Sequence, residues 1–350
     1  MRTRIFIPPL PRMSGGLAVL YHMAAHLAAA GHDVALVPRE GGAPGLAAAA
    51  EAPGVRLATW ESPDLAPGDI WLVPEGWANA LTPGLKAGAR CVVYVQNWAY
   101  LLSSLPEGVQ WAQLPVSFLA VSQPVAWYVQ QATGQDAAIL RPGIDPALFH
   151  APARNPASGA GDVVRVAWMP RKNKALALQV RELCEARLAL PRGNGATPPR
   201  LEWLEIHGRT QAEVAELLRS AHIFFASGFP EGCPLPPLEA LASGCVVAGF
   251  SGFGGWDYMR QAQPGGFAPW WPLREVGWQG NGFYTADADV VAAGLALEQL
   301  AHVVAAGGST LQAIRQAGAQ TAAAYTLEQQ RSALLALWEQ AAQGMLFNPR

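Results

Sequence analysis

Residues 226–244 read ASGFPEGCPLPPLEALASG, with the apolar run 223–226 entering the stretch and a second apolar run, 245–250, leaving it. An apolar run that stops in a Gly/Pro-rich turn, a helix opened by Pro236 and Pro237 and closed by Gly244, and a further apolar run make strand, loop, short helix and strand. Proline suits the first helical turn, where a backbone N–H has no intrahelical acceptor. Ligands of open α/β sheets bind beyond the carboxyl ends of the strands, and a helix starting there directs N–H groups and partial positive charge at them. A diphosphate is stabilised in such a place. Glu231 and Glu239 bracket the turn. Carboxylates beside an anion cannot hold its phosphates, so their work is to accept hydrogen bonds from hydroxyls. Phosphate on the helix and hydroxyls on the acids describe a sugar nucleotide.

The totals set the frame. A chain of 350 residues is long for one core and predicts two domains. With 51% hydrophobic and 14% charged residues it buries a large core and is not disordered. A formal charge of −2 provides no general attraction to nucleic acid, so no nucleic-acid partner is expected. Cys91, Cys184, Cys233 and Cys245 lack paired short spacing, which argues against a disulfide framework or a zinc knuckle and fits a reducing cytoplasm. The start, MRTRIFIPP, breaks after three apolar residues, too few for a signal segment. No apolar stretch reaches the ~20 residues a spanning helix needs. The expectation is a cytoplasmic protein, soluble or peripheral at the inner face of the cell membrane.

From the start of the chain, a strand at 5–7, the turn Ser14-Gly15-Gly16, a helix over 17–30 and a strand at 35–37 form a βαβ opening. Gly15 and Gly16 let the backbone approach a ligand, or serve a tight turn alone. Residues 38–68 read as loop and short helix. Strands follow at 70–74 and 91–95, the second leading into Gln96 and Asn97, and another at 118–122 whose Ser122 caps a helix over 125–132. Residues 151–162, with Pro152, Pro156, Gly159 and Gly161, have linker composition. A strand at 164–169 then opens the second half and runs into Pro170-Arg171-Lys172-Asn173-Lys174, ahead of a helix from 175 to 190. Three cations at a strand's carboxyl end are what a leaving diphosphate needs; a solvated basic turn is the plainer alternative. His207 and Gly208 end a strand at 201–207, within reach of a nucleotide or in a structural role. His22 and His26 have the spacing of two zinc ligands, but packing or exposure explains them better. Trp270, Trp271 and Trp278 mark an acceptor-side insertion or a packed loop. Helices over 289–306, 311–324 and 327–343 complete the chain.

Residues 231–244, in the pattern E-G-x-x-L-P-x-L-E-A-x-A-x-G, resemble the nucleotide-sugar signature of retaining group 1 glycosyltransferases of the GT-B fold. The Gly-Gly opening followed by Gly31-His32-x-Val34, the run PGIDPALF at 142–149 and the Gly254-Gly255-x-Asp257 turn resemble further parts of that family. The resemblance implies an α/β chain with two Rossmann-like parallel-sheet domains facing an interdomain cleft. They would be an acceptor-side domain at 1–150, a linker at 151–162 and a nucleotide-sugar domain at 163–325, with a helix and tail at 326–350 returning to the first domain. It places Glu231 at the donor sugar, Glu239 at the ribose, and Gly232, Cys233, Leu235, Pro236, His207 and Gly208 along the donor. Arg171 and Lys174, with Lys172 as the alternative lysine, would neutralise the diphosphate in place of a metal, so neither metal nor cofactor is expected. Gly15, Gly16, Gln96 and Asn97 would face the substrates from the other domain. The implied activity is transfer of a sugar from a nucleoside diphosphate sugar to a hydroxyl of a glycan or lipid-linked acceptor, with retention of configuration, in bacterial polysaccharide synthesis. A nucleotide-sugar 2-epimerase and a non-catalytic binding module are the alternatives. Two departures stand out. Cys233 and Pro234 replace the usual aromatic and glycine, and proline has no N–H to offer. Gln96 and Asn97 stand near a strand end where many members carry histidine, and amides do not shuttle protons near neutral pH.

Overall fold

Alternating apolar runs and helices fold here into two wholly parallel sheets, because a parallel neighbour requires a crossover and the helices supply it. The computed structural model describes residues 1–39, 43–153, 159–191 and 197–348. They form two compact units, one of residues 1–143 with 327–350 and the other of residues 144–326.

The first unit runs β1 (Thr3–Ile7), α1 (Gly15–Ala29), β2 (Val34–Pro38), α2 (Leu46–Ala50), β3 (Val55–Leu57), β4 (Ile70–Pro74), α3 (Thr82–Ala87), β5 (Arg90–Val95), β6 (Val116–Ala120), α4 (Gln123–Thr133) and β7 (Ala137–Ile139). Its sheet order is β3-β2-β1-β4-β5-β6-β7, so the winding reverses between β1 and β4. Strands β1 and β4 are buried along their whole length, hence their unbroken apolar reading. Thr3 and Arg4 are the exceptions in β1, each only 1% exposed, and the Arg4 guanidinium lies 2.9 Å from Asp33 and 3.0 Å from Asp64. Ser14 accepts a hydrogen bond from Leu17 N at 3.2 Å, so α1 begins at Gly15, two residues ahead of the expected start. Strand β3 lies within the segment read as loop, and its three residues are too few to show a period.

The second unit runs β8 (Val163–Trp168), α5 (Lys174–Leu188), β9 (Arg200–Glu205), α6 (Gln211–Ser220), β10 (Ile223–Ala226), α7 (Leu235–Ala242), β11 (Val246–Phe250), β12 (Gly282–Thr285), α8 (Val290–Ala306) and α9 (Ser309–Ala323). Its order, β12-β11-β10-β8-β9, reverses between β8 and β10. The core packs Val166, Phe225 and Phe250 of the sheet with Val180 of α5 and Leu297 and Leu300 of α8.

The units divide at 143/144 instead of at 150, because residues 144–149 are bonded into the second one. Ile144 N donates to Tyr325 O at 2.8 Å and Arg219 Nη1 to Leu148 O at 2.9 Å. Of the expected linker, residues 154–158, including Pro156, lie outside the described residues, while Ala160 N donates to Val304 O at 2.8 Å. The last helix, α10 (Leu327–Ala342), belongs to the first unit. Trp338 Nε1 donates to Thr3 Oγ1 at 2.8 Å, Arg90 Nη1 to Ala341 O at 2.6 Å, and Gly143 N to Gln330 Oε1 at 3.1 Å.

All four cysteines are buried, and burial pushes the Cys91 and Cys184 thiols up to about 12. Among the described residues no single helix is long and apolar enough to cross a membrane. Helices α8 and α9 reach that length and composition only together, across a 108° bend.

Candidate functional site

In a doubly wound sheet the loops leaving the two strands at the reversal part to opposite faces and open a crevice between them. In the second unit those loops follow β8 and β10, and they carry Arg171 and Lys172 on one side and Glu231 on the other. Arg171, Lys172, Glu231, Pro236 and Ser227 line a single pocket floored by Phe225 and Phe250. Lys172 Nζ lies 2.7 Å from Glu231 Oε1 and donates to Pro230 O at 3.1 Å. Asn173 adopts a left-handed conformation, which its short polar side chain tolerates, and its Nδ2 donates to Ser227 O at 3.1 Å and Phe229 O at 2.9 Å. That residue therefore fastens the basic turn to the exit of β10. Arg171 is exposed at the pocket and has no protein acceptor among the described residues.

Glu231 is fixed through its backbone as well. Its N donates to Gly252 O at 2.9 Å, and Gly254 N donates to Glu231 O at 3.0 Å. Only glycine fits at 254, since a Cβ there would stand 1.8 Å from Gly232 O. Asp257, further along the same turn, is fully buried and held by the Tyr325 hydroxyl at 2.5 Å and by Arg274, so it serves packing.

Helix α7 differs from expectation at its start. Its cap is Pro234 and its second and third residues are Pro236 and Pro237, so among the positions lacking an intrahelical acceptor only Leu235 carries an N–H. That N–H has no protein acceptor among the described residues. Glu239 is the fifth residue of α7, in its second turn. It follows Pro236 by three positions and so shares the helix face that carries Pro236 to the pocket. Glu239 is half-buried, no protein donor or cation among the described residues reaches it, and desolvation pushes its carboxyl up to about 7.

Neither Glu239 nor the other expected donor residues are brought to the pocket lining. Lys174 opens α5 as an exposed residue. Gly232 and Cys233 are buried behind Glu231, with Leu235 half-buried beside them. His207 and Gly208 are exposed beyond the edge strand β9. The rings of His22 and His26 lie 6.4 Å apart, with His26 pushed down by burial first and by His22 second. Among the described residues no three His, Cys, Asp or Glu side chains gather as a metal cluster.

In the first unit the reversal lies between β1 and β4, and Gly15 and Gly16 stand at the start of α1, which follows β1. Gln96 Nε2 donates to Gly16 O at 3.3 Å, and a Cβ on Gly16 would stand 2.2 Å from Gln96 Oε1. Asn97 turns inward, its Oδ1 accepting from Ala99 N at 3.1 Å to cap a short helical turn. Sequence reasoning passed over Glu75, which follows β4 directly. It is 4% exposed and its two carboxylate oxygens accept from Gln96 N at 2.9 Å and Asn97 N at 2.8 Å. Burial pushes its carboxyl up to about 7 against the pull of those N–H groups. The available signal was an acid placed immediately after a wholly apolar run, at a strand's carboxyl end.

No family model matches the chain. A 53-residue segment is 43% identical to an alpha-1,6-glucosyltransferase of Actinobacillus pleuropneumoniae serotype 7, covering 15% of this chain and 16% of that protein. Among solved structures, a glycosyltransferase from Rickettsia africae aligns over 98% of this chain and 99% of its own at 12% identity, with a TM-score of 0.69. Sucrose-phosphate synthase from Thermosynechococcus elongatus aligns over 98% and 99% at 12% identity, TM-score 0.68. HepE of Anabaena, in complex with UDP and glucose, aligns over 98% and 100% at 13% identity, TM-score 0.63. The chain has the GT-B fold of these glycosyltransferases.

Proposed function

We propose that this GT-B chain is a retaining glycosyltransferase that moves a hexose from a nucleoside diphosphate donor to a hydroxyl acceptor. The observation that carries the reading is the meeting of Arg171, Lys172, Glu231 and Pro236 in one pocket at the reversal of the second sheet. As the bond between the anomeric carbon and phosphate breaks, negative charge accumulates on the leaving diphosphate. Arg171 and Lys172 stabilise it, so the step needs no metal ion. Lys172 takes the role first given to Lys174, since it is the lysine beside Glu231. Glu231 orients the sugar, and Glu239, a desolvated carboxyl without a protein donor, receives the ribose hydroxyls. The proton of the acceptor hydroxyl passes to the departing phosphate, because Gln96 and Asn97 do not exchange protons near neutral pH. A glycan or lipid-linked acceptor, used at the cytoplasmic face of a membrane in bacterial polysaccharide synthesis, completes the reading.

The names of the matched proteins make UDP-glucose the first donor to try. A thermal-shift screen of UDP, ADP, GDP and their glucose conjugates tests binding, since a ligand at 100 times its Kd stabilises by about 2.7 kcal/mol. Release of nucleoside diphosphate with an acceptor, undiminished by EDTA, tests the reaction. A chain that neither shifts with nor binds any of these nucleotides at millimolar concentration does not have this function.

A further inference from the structure

Glu75 is a buried acid that the reaction above leaves unused. Its carboxylate holds two consecutive backbone N–H groups, those of Gln96 and Asn97, and its own N donates to Tyr94 O at 3.3 Å. None of the influences on its titration is a charged side chain, so among the described residues the acid stands in the interior without a cation. An acid so placed is costly to the fold. The same turn would be held at lower cost by a backbone carbonyl, and costly polar groups of this kind concentrate where a site must be shaped.

The surroundings say which site. Strands β1, β4 and β5 are neighbours, and Glu75 leaves β4 beside the reversal of the sheet, where a ligand of this topology binds. Glu75 fixes the backbone of Gln96, whose amide lies against Gly16, and Gly16 lacks the Cβ that would expel it. Three loops are thereby tied in series by one carboxylate and one amide. Gln96 Oε1 accepts no hydrogen bond among the described residues and can accept one from a hydroxyl.

We infer that Glu75 is a positioning residue for the acceptor: it sets the turn after β5 so that the Gln96 amide, laid over Gly16, receives a sugar hydroxyl. The inference rests on the transferase reading and deepens it.

Wild type, Glu75→Gln and Gly16→Ala are assayed with UDP-glucose as donor and p-nitrophenyl α- and β-glucosides as acceptors, reading UDP release. Hydrolysis without acceptor and UDP affinity by calorimetry are measured alongside. In both variants the acceptor KM rises about tenfold or more, as misplacement of a bound group predicts, while in Glu75→Gln UDP affinity and hydrolysis keep their wild-type values. Hydrogen exchange accelerates at the Gln96 and Asn97 amides of Glu75→Gln, with the amides of β5 still protected. In Glu75→Gln an unchanged acceptor KM despite faster exchange overturns the inference, and so does a parallel loss of UDP affinity. If Glu75→Gln does not fold, Gly16→Ala displaces the same amide from the opposite side and decides alone. Wild type that turns over neither UDP-glucose nor ADP-glucose removes the transferase reading itself, before any variant is compared, and the inference falls with it.

Discussion

Lys172 Nζ and Glu231 Oε1 stand 2.7 Å apart, joining the turn after β8 to the turn after β10 through one cation and one acid. Both side chains are partly exposed, so the pair contributes only about 0–1 kcal/mol to stability. Its consequence is geometric: the acid that would orient a sugar and the cation that would meet its phosphate fix each other's position.

Lys172→Ala is therefore expected to lower affinity for UDP about tenfold or more, the loss typical of a hydrogen bond to a charged group, with little change in Tm. Glu231→Gln leaves UDP affinity near wild type, since the ligand loses no phosphate contact, and lowers turnover. Calorimetry and steady-state kinetics on the same preparations separate the two effects. Equal nucleotide affinity in wild type and Lys172→Ala would remove Lys172 from the site.

Arg171 and Lys174 offer a contrast within one basic turn. Arg171 lines the pocket and Lys174 does not. Arg171→Ala is expected to weaken UDP binding, and Lys174→Ala to leave it within about twofold, the range of an exposed charge with no contact to the ligand. Equal losses in both variants would mean that the turn acts through its total charge.

Much of this is legible in the order of the residues alone. The strand, loop, helix and strand of 223–250 follow from an apolar run, a Gly/Pro turn and two prolines, and the structure has β10, α7 and β11 there. Lys172 was harder to tell from Lys174, because Asn173 between them takes a left-handed conformation and sends its two neighbours in different directions. A spacing rule has no access to that dihedral. Glu75 was invisible for another reason. Its partners are backbone N–H groups 21 and 22 residues away, which every sequence possesses and no residue type announces. The break at 143/144 escaped notice because Ile144 and Leu148 are fastened by residues far along the chain, Tyr325 and Arg219.

The two raised carboxyls make stability depend on pH in an unusual sense. Glu75 and Glu239 titrate at about 7 when folded, against an ordinary value of 4.5. Between those values the folded chain binds more protons than the unfolded one, so stability falls as pH rises through the interval. Asp287, raised by burial, acts in the same sense. His26 is pushed down and opposes them below its ordinary 6.5, whereas Asp33 and Asp69, lowered by their arginine partners against partial desolvation, and the exposed Asp64, lowered by its hydrogen bond with Arg4, matter only near pH 4 and below. From pH 6 to 8 each of the two glutamates is expected to withdraw on the order of 1 kcal/mol. Tm measured at pH 6 should exceed that at pH 8, and the difference should shrink in Glu75→Gln. A Tm that rises over this range contradicts the burial assigned to both acids.

Gly254 tests whether the turn carrying Glu231 is as closely built as its backbone contacts require. A Cβ at this position would lie 1.8 Å from Gly232 O, 2.2 Å from its C and 2.6 Å from its Cα, so the three nearest atoms it meets are all backbone. No rotamer relieves such a contact, and the two turns must move apart. Movement would stretch the bond from Gly254 N to Glu231 O, now 3.0 Å, and carry Glu231 away from Lys172. Gly254→Ala is expected to cost about 1–3 kcal/mol, the range for overpacking, and to weaken UDP binding in parallel. Gly277→Ala is the control, since a Cβ there meets nothing within 4 Å. Denaturant unfolding gives the first quantity and calorimetry the second. Gly254→Ala with the stability and UDP affinity of the Gly277→Ala control would mean that the turn has room to spare and that Glu231 is not held by it.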